Sequence, residues 1–222
     1  MQKIEIENEE VLNNLKPFEW FVNQTVCDLI IRDEKSFSCN RNDYVSIPYM
    51  QKIMRMGKDH NGFPERVKGY SFNGVGLKFK NASDPLVSEM MNRYNENIFN
   101  FSSSLMLRHN ALFTVYPPGG FISWHNNANA SAYNFIFTWS ETGNGYWQNY
   151  DMEEQKVVTI NDKPGWQCKS GYFGSYNENP NKIVYHSAST DCWRMTVAFV
   201  LDRSEMSKGI QDLIIEELSF TE

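Results

Sequence analysis

Between residues 111 and 201 the chain falls into eight short strand-like runs, each bounded by residues that end strands, and this punctuation limits the fold more than any other feature. The runs are Ala111–Tyr116, Phe121–His125, Ser131–Thr138, Tyr146–Tyr150, Lys156–Ile160, Trp166–Phe173, Lys182–His186 and Trp193–Leu201. Pro117-Pro118-Gly119-Gly120 cannot continue a central strand, Gly143-Asn144-Gly145 supplies positive-φ turn positions, and Pro164-Gly165 restarts the chain. Eight runs at this spacing, flanked by helical segments, predict a mainly β protein with helices: a double-stranded β-helix, or jelly roll. An unrelated all-β sandwich is the alternative.

The rest of the chain reads as helical or irregular. Asp84 followed by Pro85 offers an N-cap and a first-turn proline, after which Leu86, Val87, Met90, Met91, Tyr94 and Ile98 share one helical face. They predict a helix of about four turns covering a sheet. Residues 11–22 hold an apolar periodicity broken by Pro17, and 47–56 predict a short helix beginning near Pro48. Near the end, Ile210, Leu213, Ile214 and Leu218 form the predicted apolar stripe of a terminal helix. With 222 residues, 41% of them hydrophobic, one large core is expected across residues 1–222. The expected division is a support or lid in 1–110, a jelly-roll core in 111–202 and a C-terminal helix in 203–222.

Charge narrows the function. Lys and Arg total 21 against 27 Asp and Glu, a net charge of −6, so a nucleic-acid partner is not expected. No run reaches the roughly 18 apolar residues of a membrane span, and the first residues lack the basic and apolar regions of an export signal. A cytoplasmic location with no membrane partner is the expectation. Cys27, Cys39, Cys168 and Cys192 form no CxxC pair and read as reduced thiols.

Chemistry concentrates at the strand ends. His125 and His186 close two predicted strands on either side of the barrel, and Asn127 stands two residues after His125, on the same face if the strand direction persists. Two imidazoles and an oxygen donor approximate a facial triad with open positions, which suits Fe(II). Eight residues after His186, Arg194 interrupts an apolar strand and shares its face with Thr196. An inward arginine calls for an anion; the plainer alternative pairs Arg194 with Asp191 or Asp202 on the surface. Likewise, the histidines have a plainer reading as hydrogen-bonding groups, and Tyr116 as a core residue. Trp124, Trp139 and Trp147 read as packing, while His60 and His109 join no constellation.

From Tyr116 in YPPGG through His125-Asn126-Asn127, the KPGW restart, His186 in VYHSA and Arg194 with Thr196 in RMT, the order and spacing resemble the iron(II)/2-oxoglutarate dioxygenases. The prolyl-4-hydroxylase-like branch is the nearest, and the likeness covers roughly residues 110–202. It implies Fe(II) on His125, Asn127 and His186, with 2-oxoglutarate held by Arg194, Thr196 and Tyr116. It also implies hydroxylation of a peptide or small molecule with release of succinate and CO2. The departure is Asn127, where that family places a carboxylate; an amide oxygen brings no charge to offset the metal. Three readings of Asn127 follow: it ligates through its oxygen, it yields its position to water or an anion, or the site has lost turnover. In the last case the chain is a non-catalytic jelly-roll binding or assembly module. The expected mouth comprises Asn126, Asn129, Trp147 and residues 176–181.

Overall fold

The computed structural model describes residues 1–74, 77–128 and 130–220. Its strands, in chain order, are β1 (Gln2–Ile4), β2 (Val67–Lys68), β3 (Tyr70–Ser71), β4 (His109–Tyr116), β5 (Phe121–His125) and β6 (Ala132–Ser140). They continue as β7 (Gly145–Asp151), β8 (Lys156–Asn161), β9 (Gly165–Phe173), β10 (His186–Thr190) and β11 (Arg194–Leu201). All named pairings are antiparallel: a six-stranded sheet in the order β1-β9-β6-β11-β4-β3 faces a five-stranded sheet in the order β2-β5-β10-β7-β8. Strands β4 to β11 divide four to each sheet and cross between them repeatedly, which is a jelly roll with flanking helices. Two-residue strands at β2 and β3 close two of the sheet edges.

Seven of the eight predicted runs coincide with strands to within two residues. The exception is Lys182–His186. Pro180 opens a 3-10 turn, Pro180–Lys182, that the Asn179 side chain caps by accepting from Asn181 N, so the chain becomes a strand only at His186. His186 therefore begins a strand instead of ending one. Its apolar neighbours Ile183 and Tyr185 are buried against the helix Ile47–Met56, on the outside of the five-stranded sheet.

Period two sorts the long strands of the six-stranded sheet into two unlike faces. Phe113, Val115, Phe137, Met195, Val197 and Phe199 point outward into a core shared with Phe18, Phe21, Phe101 and Leu218. Thr114, Tyr116, Ile136, Thr138, Lys169, Arg194, Thr196 and Ala198 alternate with them and turn toward the other sheet. The Pro85–Ser104 helix covers the outer face. Asp84 caps it by accepting from Leu86 N, as the sequence predicts, but it runs 20 residues because buried Phe101 extends the stripe beyond Ile98. In the terminal helix Glu205–Leu218, Ile214 and Leu218 are buried, whereas Leu213 is 55% exposed and does not belong to the stripe. It stands one position, about 100°, round the helix from Ile214.

Candidate functional site

A cavity of about 1020 Å³ opens between the two sheets. His125, Asn127, His186, Tyr116, Arg194 and Thr196 all reach its wall, so all six sequence-predicted residues share one space.

His125 and His186 lie directly opposite each other across the β5–β10 pairing, with ring centroids 4.1 Å apart. What turns His125 inward is a bulge. From Ile122 to His125, β5 advances three residues while β10 advances two, from Ala188 to His186. In a regularly pleated strand, residues three apart such as Ile122 and His125 would face opposite sides of the sheet; with the bulge, both line the cavity. The displaced Trp124 points outward and donates from Nε1 to Val45 O at 2.9 Å.

Each ring is oriented by the backbone. His125 Nδ1 lies 2.8 Å from Ser123 O, and His186 Nδ1 lies 2.9 Å from Val184 O. A carbonyl oxygen only accepts, so each Nδ1 carries the proton and each Nε2 keeps its lone pair. Burial, then the neighbouring His186, hold His125 well below the usual histidine range, and burial lowers His186 to about 4. Two neutral imidazoles with fixed tautomers therefore converge, the state and outer-shell bonding that a metal-binding histidine requires. Among the described residues no third His, Cys, Asp or Glu joins them. The available oxygen is the amide of Asn127.

Asn127 reaches the cavity by another route than the one its spacing suggests. The strand ends at His125, and Asn127 and Ala128 both adopt left-handed backbone, with φ of 57° and 50°. Its placement comes from neighbouring chain: Asn127 N donates to Gly62 O at 3.0 Å, and Ala128 N donates to Asn126 Oδ1 at 3.0 Å. Gly62 is itself pinned, donating to His60 Nδ1 at 3.1 Å, and a Cβ on it would sit 2.3 Å from Ala128 N. His60 is thus a buried support of this turn; its short-range sequence context gives no sign of that. His109 is exposed at the start of β4.

Deeper along β11, Arg194 is 2% exposed. Its guanidinium donates from Nε to Asp162 Oδ2 at 2.8 Å, from Nη1 to Thr196 Oγ1 at 2.7 Å and from Nη2 to Thr138 Oγ1 at 3.5 Å, and it lies 5.7 Å from the Tyr116 ring centre. Burial raises the Tyr116 hydroxyl to about 12, against the charge of Arg194 and a hydrogen bond with Thr114, so it remains a protonated donor. The surface pairing of Arg194 is excluded: Asp191 pairs with Arg41 and Asp202 with Arg108. Asp162, Thr138 and Lys169, whose ammonium is 3.7 Å from Asp162 Oδ1, belong to this end of the site and were not singled out from the sequence.

The mouth also differs from expectation. Trp147 is a buried wall residue, and Asn126 is buried, donating to Tyr176 Oη. Residues 176–181 do not line the cavity, and Asn129 lies outside the described residues. Ile31, Arg32, Phe63 and Arg108 lie there instead, with Ile31 50% and Phe63 73% exposed.

No family model matches the chain, and no curated protein matches it in sequence. Among solved structures, a prolyl-4-hydroxylase from Pseudomonas putida aligns with 10% identity and a TM-score of 0.33 over 64% of this chain and 74% of that one. A predicted oxalate decarboxylase from Thermotoga maritima aligns with 16% identity and a TM-score of 0.26 over 46% and 74%. The Cnp3 cupin domain of Schizosaccharomyces pombe aligns with 8% identity and a TM-score of 0.25 over 41% and 54%. These likenesses are too slight to bear on activity; the fold rests on the strand order itself.

Proposed function

We propose that the protein is an iron(II)/2-oxoglutarate-dependent oxygenase acting on a peptide or small molecule. The observation that carries this reading is the facing pair His125 and His186, tautomers fixed and Nε2 lone pairs free, in one cavity with buried Arg194. The residues fit a divalent metal: two imidazole nitrogens with carbonyl-bonded outer shells, and the Asn127 amide oxygen in the same wall. What iron(II) supplies when bound is activation of dioxygen, coupling decarboxylation of 2-oxoglutarate to succinate and CO2 with oxygenation of a substrate C–H bond.

The chain's own residues bind and orient. Arg194 receives the distal carboxylate of the co-substrate by charge-assisted hydrogen bonds, with Thr196 and Tyr116 as further hydroxyl partners. Thr196 and Thr138 hold the guanidinium plane, so the carboxylate meets a preset geometry. Ile122, Trp147 and Phe173 line the space between the two ends and exclude water from it.

Anaerobic Fe(II) with 2-oxoglutarate is expected to give a visible charge-transfer band, and aerobic mixtures uncoupled succinate release. In Arg194→Ala, 2-oxoglutarate affinity falls by about 100-fold. Absence of the band in wild type would remove the oxygenase reading. A second reading has its own observation: Asn127 leaves the metal without a carboxylate ligand. Metal and 2-oxoglutarate binding without succinate release would mark a non-catalytic jelly-roll module.

A further inference from the structure

At the closed end of the cavity, three charged side chains are packed together out of reach of solvent. Asp162 holds Arg194 through Nε alone and turns its other oxygen toward Lys169, 3.7 Å away. Side-chain exposure is 2% for Arg194, 1% for Lys169 and 0% for Asp162. Among the described residues neither Lys169 Nζ nor Asp162 Oδ1 has a hydrogen-bond partner. Two buried cations thus surround one buried anion. A lone Asp162–Arg194 pair would be neutral, and a methionine would fill the Lys169 position without the cost of desolvating an ammonium.

We propose that Lys169 is the charge-setting residue of the anion site: it occupies the second oxygen of Asp162, so that the cluster keeps a net positive charge for a dicarboxylate seated on Arg194. The proposal rests on reading Arg194 as the anchor of the co-substrate. Lys169 lies outside the cavity wall, opposite Ile136 in the β6–β9 pairing, and acts through Asp162 and Arg194 as a positioning residue. Burial first, and then the charge of Arg194, lower its ammonium to about 8 against the pull of Asp162, so it remains largely protonated at neutral pH. The arrangement exchanges stability of the empty protein for affinity, which gives the idea an unusual signature.

The test combines Lys169→Met, Asp162→Asn and the double variant, measuring thermal stability, Mn(II) affinity, and calorimetric binding of 2-oxoglutarate to the Mn(II)-loaded protein. Lys169→Met should bind 2-oxoglutarate about tenfold more weakly, with unchanged Mn(II) affinity and a raised Tm. Asp162→Asn should bind it more tightly, and the double variant, restored to one net positive charge, should return near the wild-type value. A merely structural lysine predicts the reverse for the first variant: a lowered Tm and unaltered affinity, which would overturn the proposal. If Asp162→Asn does not fold, Lys169→Met decides alone. Failure of wild type to bind 2-oxoglutarate with Mn(II) in place would sink the oxygenase reading along with this one; wild-type binding that Lys169→Met leaves unaltered would sink this one only.

Discussion

The two faces of the six-stranded sheet are built from alternate residues of the same strands, yet they obey opposite rules. On the outer face Phe137 meets Phe101 edge-on at 4.9 Å, and Phe113 meets Phe21 at 4.8 Å, in a continuous aromatic layer under the helices. One residue along, the inner face presents Thr138, Thr114, Thr196 and Arg194. The outer face is closed by close packing, where any lost volume is felt. The inner face keeps buried polar groups and a cavity, which a chain selected for stability alone would fill with aliphatic side chains. Stability and binding are thus divided across the thickness of one sheet.

Substitutions can break that division. The largest effect belongs to Phe137→Ala on the outer face, which should cost about 3–5 kcal/mol in urea unfolding while the folded fraction keeps its Mn(II) affinity. Equal loss on both counts would show that the faces are coupled. Gly62→Ala strikes the inner side from across the chain. Its Cβ would collide with Ala128 N, and Gly62 itself has a φ of 85°. The turn that presents Asn127 must shift, with an expected cost of about 1–3 kcal/mol and weaker Mn(II) binding by titration. Normal metal affinity in a destabilised Gly62→Ala would place Asn127 outside the ligand set.

Asn127→Asp is the opposite move. It adds the missing charge and should tighten Mn(II) about tenfold with little change in unfolding free energy. The smallest effect is one of pH. Lys169 is depressed from 10.5 to about 8 by burial and by Arg194, with Lys3 opposite it on β1 adding to the depression and Asp162 and Cys168 opposing it. Between these values the unfolded chain binds the extra proton, so stability should rise with pH, by on the order of 1 kcal/mol from pH 8 to 9. Affinity for 2-oxoglutarate should fall over the same interval as the ammonium loses its charge. Parallel titrations of wild type and Lys169→Met check both, since the difference isolates this lysine.

Much of the fold was legible because alternation and turn residues recur through residues 111–201 and because Asp84-Pro85 is an unambiguous helix start. The strand at His186 begins later than the sequence suggests because the apolar run Ile183–Tyr185 packs beneath a helix, and a run that short does not reveal its period. The two histidines and Arg194 stood out as polar residues at strand ends and in an apolar strand. Asp162 did not: between Asn161 and the Lys163-Pro164-Gly165 turn it has the look of a solvated turn residue, and only closure of the roll buries it. Lys169 alternates with Cys168 and Ser170 and gives no local sign that its ammonium is enclosed. Nor does the string His60-Asn61-Gly62 disclose that it supports a turn more than sixty residues further on.

The extra residue in β5 has a consequence for how this chemistry is inherited. Pairing β5 at its present length without the bulge would restore strict pleating and swing the imidazole to the side occupied by the Ile47–Met56 helix, with every side chain intact, whereas removing one residue between Ile122 and His125 would leave the ring on the face of Ile122. The pairing of the two rings is therefore encoded in how a three-residue interval is accommodated opposite a two-residue one as much as in the letters themselves, and losing the bulge at constant length would be as disabling as losing the histidine.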